Sequence, residues 1–177
     1  MALNALLKIS NAVGESKMPE HVGWIEIQGW DWEVEADTSW TKGGGASVGK
    51  PNPGKMNFEH YFDTSSTNIL RNIFSGQSFE SIELHMMKST GKKSLANAKT
   101  GAMAASGGST MDTFFKMFMS DAFITKVANS ATDEGNVVQK VEMVFKEVKF
   151  WYRPQRDDGS LGEVKEVSWD IPAGKVK

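Results

Sequence analysis

The segment from Trp24 to Val34 alternates apolar and polar side chains, but the alternation changes phase at Gly29. The apolar residues stand at odd positions before the glycine and at even positions after it: Ile25 and Ile27, then Trp30, Trp32 and Val34. A period of two is typical of a strand with one buried face. Both halves can face one core only if an extra residue is absorbed near the glycine as a β-bulge, whose backbone angles glycine tolerates. Because bulges bend a sheet, we expect a strongly curled sheet.

Similar apolar stretches predict four further strands. They span Ala2–Ile9, Met56–Tyr61, Phe79–Lys88 and Thr113–Val127. The stretch Phe114–Met119 is apolar on both faces, as expected for a strand buried on both sides. One short helix is also predicted, because Asp63 to Ser66 offer N-caps, apolar residues then recur at helical spacing, and Gly76 can end the helix.

The last third of the chain repeats the change of phase. The apolar residues are at first odd and then even: Val141, Met143 and Phe145, then Val148, Phe150 and Tyr152. A kink near Lys146 is therefore predicted. A turn at Asp157–Ser160 and a final strand through Trp169 predict a C-terminal hairpin. Seven or eight strands and one short helix indicate a mainly β fold, a β-barrel or a tight β-sandwich, and residues 1–177 are expected to form a single domain.

Two stretches are expected to form long exposed loops. Thr41–Gly54 is rich in glycine and proline and has almost nothing to bury. Gly91–Met111 is rich in glycine, alanine, serine and lysine, so we expect mobility, with at most one weak helical turn around Leu95–Ala105.

Composition excludes several classes of function. The chain has no cysteine, which rules out disulfides, thiolate metal sites and cysteine nucleophiles. Its net charge of −2 gives no general attraction to nucleic acids or to anionic membranes. The longest apolar run near the N-terminus is Ala5–Leu7, so we expect neither a signal peptide nor stable membrane insertion.

The glycine-rich loop contains two motifs that resemble enzyme signatures. Residues 45–49 match the nucleophile elbow G-x-S-x-G around Ser47, and residues 44–50 nearly match a phosphate-binding loop that ends in Lys50. Both motifs require a helix directly afterwards, and Pro51 and Pro53 prevent one. We therefore interpret this stretch as a flexible loop and expect no cofactor.

The remaining candidate metal-binding and ligand-binding residues give only weak signals. His21, His60 and His85 share no metal-ligand spacing, and each is expected to be a polar or half-buried residue. The turn at Asp157–Ser160 lacks the other ligand positions of a calcium loop. Trp30 and Trp32 are expected to pack in the core rather than to form a ligand platform.

Several short sequences occur in a specific order along nearly the whole chain. They are Leu7-Lys8-Ile9, Gly14-Glu15-Ser16, Trp30-x-Trp32, Gly43-Gly44-Gly45 with Gly49-Lys50, Asn68-Ile69-Leu70, Pro154-Gln155 and Trp169-Asp170-Ile171. Each fragment is weak alone, but their order and spacing together resemble the haemolysin-coregulated proteins (Hcp), the tube-forming subunits of the type VI secretion system.

This resemblance implies a tight β-barrel of two sheets with one short flanking α-helix and long exposed loops, and a protein that is not an enzyme. It implies homohexameric rings that stack into a hollow tube, which a contracting sheath ejects together with a tip (spike) protein. The lumen would receive and stabilise small effector proteins. The subunit would assemble in the bacterial cytoplasm and leave the cell without a cleavable signal peptide.

The resemblance also suggests roles for particular residues. Asp31 stands at the position that faces the lumen and its cargo, where relatives are expected to have a small polar residue. The segment Lys88–Thr113 looks longer than its counterpart in relatives, and only Pro172–Lys177 follow the final strand, so we expect no fused toxin domain. The ring-stacking loop would use Gly43, Gly44, Gly45, Ser47, Gly49 and Lys50. The excess apolar residues of the strand after this segment are expected to supply a subunit contact: Phe115, Met117 and Met119.

Two other classes of function remain open. The first is a small β-barrel that carries an apolar ligand inside, with the tryptophans as its lining, although a core filled with large residues argues against an empty interior. The second, an enzyme, rests only on Ser47. The mass of the assembled particle would separate a ring from a carrier.

Overall fold

The computed structural model describes residues 4–39, 47–90 and 110–177. These residues form eleven strands and one helix: β1 (Ala5–Ile9), β2 (Ile25–Asp31), β3 (Val34–Ser39), β4 (Ser47–Pro53), β5 (Met56–Tyr61), α1 (Thr64–Ser75), β6 (Phe79–Thr90), β7 (Thr110–Ala131), β8 (Val137–Val144), β9 (Glu147–Tyr152), β10 (Lys165–Asp170) and β11 (Lys175–Val176). The predicted mainly β fold with one short helix is confirmed. The sequence analysis missed β3, β4 and β11.

A single long strand closes the barrel. Nine strands form one sheet in the order β11-β10-β9-β7-β6-β1-β2-β5-β8, and β7 also pairs with β8. The N-terminal part of β7 lies between β6 and β9, whereas its C-terminal part pairs with β8. Its 22 residues make both pairings possible. A closed ring of strands leaves no free edge, and β9, β10 and β11 extend the sheet beyond the barrel as the predicted C-terminal hairpin.

The predicted β-bulge in β2 is confirmed, because the register of β2 against β5 shifts between Ile27 and Gly29. The predicted reason for the glycine is wrong. Gly29 does not have a positive φ, and a Cβ added there would lie 3.8 Å from Glu59 Oε1, which is an ordinary contact. The strand also ends earlier than predicted, because Val34 begins β3 in a separate two-stranded sheet and is 47% exposed.

The second predicted bend is a break between two strands. β8 ends at Val144 and β9 begins at Glu147, so the chain leaves the barrel wall and continues beside the N-terminal part of β7. Val148 is buried as predicted, but Tyr152 is 43% exposed and does not reach the core.

Large side chains fill the barrel interior. Several are fully buried, at 0% exposure: Leu7, Ile25, Met56, Ile69, Ile82, Leu84, Met117, Met119 and Met143. Burial of each such side chain stabilises the fold by roughly 1.5–3 kcal/mol. Trp30 and Trp32 pack against this core, as predicted, with the Trp30 ring stacked 5.6 Å from Phe115. The prediction that β7 is buried on both faces is wrong at Phe118, which is 42% exposed.

Helix α1 has the predicted caps. Asp63 Oδ1 accepts a hydrogen bond from Ser65 N at 2.9 Å, and Ser66 Oγ accepts one from Asp63 N at 3.0 Å, which together form a capping box. Gly76 ends the helix with a φ of 66°. Ile69 anchors the helix in the core. Within the described residues, no helix has the length and apolar character needed to span a bilayer.

Candidate functional site

A two-stranded hairpin, β3 and β4, leaves the barrel after Trp32 and returns at Gly54. Its base is fixed by two hydrogen bonds: Trp32 Nε1 donates to the carbonyl of Gly54 at 3.2 Å, and Gly54 N donates to the carbonyl of Glu33 at 2.9 Å. Gly54 lies close to Glu33, because an added Cβ would lie 2.8 Å from Glu33 Cγ and 3.1 Å from the carbonyl oxygen of Glu33. We call residues 34–39 and 47–53 the projecting hairpin.

The projecting hairpin corrects the predicted loop at 41–54. Residues 47–53 form β4 and pair antiparallel with β3, and the part of the predicted loop before Ser47 lies outside the described residues. Residues 34–38 and 48–52 are all exposed, so neither face of this small sheet is covered by the subunit. This exposure removes the alternating pattern that strand prediction needs, which is why the sequence analysis missed β3 and β4.

The predicted ring-stacking residues lie partly within the projecting hairpin. Gly43, Gly44 and Gly45 lie outside the described residues. Ser47 begins β4 opposite Ser39 in a regular antiparallel pair, which is not the strand-to-helix turn of a nucleophile elbow. Gly49 faces β3 closely, since an added Cβ would lie 3.0 Å from the carbonyl oxygen of Asp37.

Lys50 is exposed and reaches the C-terminal turn. A Cβ added to Gly174 would lie 3.9 Å from Lys50 Cε, so the side chain of Lys50 lies against the turn between β10 and β11. This contact places the projecting hairpin beside the C-terminal strands β10 and β11. A stacking surface that includes Lys50 would therefore also include the turn between β10 and β11.

Asp31 lies at the end of β2 and lines an open cavity with a volume of about 380 Å³. Its carboxylate is exposed and accepts a hydrogen bond from Asn57 Nδ2 at 2.8 Å. We call this surface the charged groove, and its polar lining residues come from four strands: Asp31, Asn57, Glu59, Lys126, Lys140 and Glu142.

Ion pairs between neighbouring strands organise the charged groove. Glu142 lies 3.1 Å from Lys55 Nζ and 3.2 Å from Lys126 Nζ, and Lys140 Nζ lies 3.4 Å from Glu59. The hydrogen bonds from Lys55 and Lys126 hold the pKa of Glu142 below its ordinary value. Charges of both signs on an exposed face suit a polar protein surface better than a polyanion.

The structure places the predicted subunit-contact residues mainly inside the barrel. Met117 and Met119 are 0% exposed, and Phe115 is partly buried between Trp30 and Phe150. The side chains of both methionines are therefore unavailable to a partner in the folded chain. The alternate residue of β7, Phe118, points outward. A contact through this strand would have to use its outer face.

Sequence reasoning missed a buried pair of histidines. His21 Nε2 lies 2.7 Å from His85 Nδ1, and both residues are buried. The two histidines are 64 residues apart, so no local spacing indicates the contact. His60 is also buried, with its Nε2 3.1 Å from Gln139 Oε1, and burial lowers its pKa. Only the pairing of β1 with β6 brings His85 to the segment that carries His21.

Comparisons with known proteins agree with this architecture. A family model described as "Type VI secretion system effector, Hcp" matches residues 6–152. The chain is 26% identical to protein hcp1 of Pseudomonas aeruginosa over 174 residues, which cover 97% of this chain and 96% of that protein.

Solved structures share the same fold. Hcp1 from Salmonella typhimurium has a TM-score of 0.74 and 25% identity, and the match covers 100% of both chains. Another structure, of a type six secretion system protein, has a TM-score of 0.83 at 21% identity over 99% of this chain and 100% of the other. Because the family model spans most of the described barrel, the protein belongs to the Hcp family of type VI secretion proteins.

Proposed function

We propose that the protein is a subunit of the inner tube of the type VI secretion system, and that six copies close into a ring. The observation that carries this proposal is the projecting hairpin of a closed barrel. An isolated two-stranded sheet is marginally stable, and this one exposes both faces in the single subunit. A stacked neighbour would cover it.

The rings stack through the projecting hairpin. Val48 is 72% exposed on β4 and would be buried at the contact between rings. The variant Val48→Asp should therefore leave rings intact but prevent tubes, as seen by electron microscopy. The matched control is Val22→Asp, since Val22 is 73% exposed on a different segment. Tubes formed by Val48→Asp would contradict the role of the hairpin.

The ring contact involves the outer face of the N-terminal part of β7, which lies between β6 and β9. Phe118 is 42% exposed there, and Phe123 on the same strand is 41% exposed, which provides a matched control. Phe118→Asp should give monomers by native mass spectrometry, whereas Phe123→Asp should keep the hexamer, six copies of a 19.5 kDa chain or about 117 kDa. Phe115→Asp is a poorer test, because it would place a carboxylate in the core.

The charged groove faces the lumen and contacts small effector proteins. Asp31 is exposed at its edge, where charges of both signs can pair with a folded cargo. Asp31→Arg should reduce the export of effectors that depend on this tube while the subunit itself is still secreted. Glu163→Arg, an exposed charge reversal, is the control. Unchanged effector export from Asp31→Arg would refute the lumen assignment.

The protein acts by assembly and not by a reacting group. It assembles in the bacterial cytoplasm, is enclosed by a sheath, carries a tip protein and is exported without cleavage. Mass spectrometry of secreted protein should find the N-terminal segment that includes residues 4–9 intact.

The alternative function, a carrier of an apolar ligand, is less well supported because large side chains fill the barrel interior.

A further inference from the structure

A connecting segment lies over the outer face of the barrel. Residues 10–24, which we call the strap, join β1 to β2. The strap is held together by backbone hydrogen bonds: Gly14 N donates to Gly23 O at 2.8 Å, Ser16 N to Trp24 O at 2.9 Å, and Gly23 N to Ser16 O at 2.8 Å.

The strap covers a second apolar cluster, separate from the barrel interior. Leu6 and Met87 point outward from β1 and β6, and Trp24 of the strap packs on them. The three side chains are 2%, 6% and 9% exposed. The strap also reaches α1, since Thr64 Oγ1 donates to the carbonyl of Val13 at 2.8 Å. Opening the strap would therefore expose apolar surface and remove a contact from the start of the helix.

The buried histidines lie where the strap meets the sheet. His21 Nδ1 lies 3.4 Å from the carbonyl oxygen of Pro19, His21 Nε2 lies 2.7 Å from His85 Nδ1, and His85 Nε2 lies 2.6 Å from Glu83 Oε1. The ring of Trp24 packs against both imidazoles, with centroid distances of 4.6 Å and 4.5 Å. These contacts form one continuous line from the strap to β6.

The two ends of this line fix the number of protons in it. The carbonyl of Pro19 and the carboxylate of Glu83 are both acceptors, so each contact is a hydrogen bond only when His21 Nδ1 or His85 Nε2 carries the proton. The inner contact between the two rings needs a third proton. Two neutral imidazoles hold only two. The closed arrangement therefore needs one extra proton, which the two rings share beside the Glu83 carboxylate.

The groups around His21 oppose a further charge. Burial lowers the pKa of His21, and the charges of His85 and Lys116 act in the same direction. The carbonyl of Pro19 and the carboxylate of Glu20 act in the opposite direction but do not prevail. A second extra proton would also place N–H against N–H at the inner contact.

Glu83 supplies the charge that balances the shared proton. The hydrogen bond from His85 lowers the pKa of Glu83, and the charges of Lys116 and Lys8 add to this effect. The carboxylate therefore remains ionised throughout the range in which histidines titrate. Lys8 also lies over the Trp24 ring, 5.8 Å from its centroid.

We propose that the His21–His85 pair is a proton-dependent latch, which holds the strap closed with one shared proton and releases it when a second extra proton binds in acid. Release uncovers Leu6 and Met87. The latch is intramolecular and does not depend on ring formation.

The direction of the pH dependence follows from His21. Its pKa in the folded chain is below the ordinary value of 6.5, so the second extra proton binds, and the stabilisation is lost, as the pH falls through the lowered value. The stabilisation from the Glu83 carboxylate is lost only when the pH falls below the ordinary glutamate pKa of 4.5. Opening at mildly acidic pH is therefore assigned to the histidines.

Hydrogen exchange of the purified protein tests the latch. Protection factors, which correct for the intrinsic pH dependence of exchange, should fall at least about tenfold in residues 13–24 between about pH 7.5 and about pH 5. Protection of Met117 and Met119, which are fully buried in β7, should stay unchanged over the same range, which shows that the barrel remains folded. Strap protection that is independent of pH would overturn the proposal.

Two variants separate the latch from general acid sensitivity. His21→Gln keeps an acceptor for His85 but does not titrate, so the pH dependence of strap protection should disappear. His60→Gln replaces the other buried histidine and should retain the pH dependence. If His21→Gln behaves like the wild type, or if His60→Gln loses the response, the latch is refuted.

Discussion

The strap crosses the barrel so closely at Gly14 that the position has no room for a side chain. A Cβ added there would lie 2.5 Å from the carbonyl oxygen of Trp24 and 2.8 Å from Ile25 Cα. Both atoms belong to the backbone and cannot rotate away. Gly14→Ala should therefore push the strap off the start of β2 and break the hydrogen bond from Gly14 N to Gly23 O.

The cost can be worked out from these contacts. Forcing a methyl group into a packed site costs about 1–3 kcal/mol, and the lost hydrogen bond adds about 1 kcal/mol. Gly14→Ala should thus lower the free energy of unfolding by about 2–4 kcal/mol, which lowers Tm by roughly 2–4 °C for each kcal/mol. Urea unfolding followed by tryptophan fluorescence measures this change at one fixed protein concentration.

Gly29→Ala is the matched control, because neither glycine has a positive φ. A Cβ at Gly29 would meet only the Glu59 side chain, at 3.8 Å. The unfolding free energy should stay unchanged or rise by about 0.4–1 kcal/mol, since alanine restricts the unfolded chain. Equal effects of Gly14→Ala and Gly29→Ala would refute the close contact between the strap and β2.

Substitutions at three further positions test separate contacts. Asp63→Ala removes the N-cap of α1 and should cost about 1 kcal/mol in urea unfolding, whereas Asp63→Asn keeps a capping oxygen and should cost less; equal losses would contradict the cap. Trp32→Phe removes the hydrogen bond to Gly54 and should cost about 1 kcal/mol, with faster amide exchange at Gly54 as the specific sign. Lys149→Ala breaks an exposed ion pair with Glu166 and should change stability by less than about 0.5 kcal/mol, measured at low and high salt.

The barrel strands could be predicted because each has one buried face. Buried apolar residues alternate with polar ones in β2, at Ile25 and Ile27, and in β5, at Met56 and Phe58. This alternation in the sequence indicates which face of each strand packs on the core. The helix was predictable because its caps are local: Asp63 and Gly76 act on residues next to them in the chain. These signals require no knowledge of distant contacts.

Other features depend on distant contacts and leave no local pattern. Val48 is exposed, so β4 lacks a buried face and reads as a loop. Apolar residues on both sides of β7 indicate burial, but only the closed sheet determines that Met117 points inward and Phe118 outward. The contact between His21 and His85 needs the folded sheet, and histidine spacing alone carries no information about it.

The closure of the barrel by β7 and β8 has a consequence for how the protein is made. β5 lies at an open edge until β8 pairs with it, and β8 joins residues 137–144 to residues 56–61. Bringing together two strands so far apart in the sequence is entropically costly, so we expect this pairing to form late. On the ribosome, a nascent chain that ends before Val137 has an unpaired β5 edge and an incomplete core. We expect such intermediates to need protection from aggregation until translation has passed Val144.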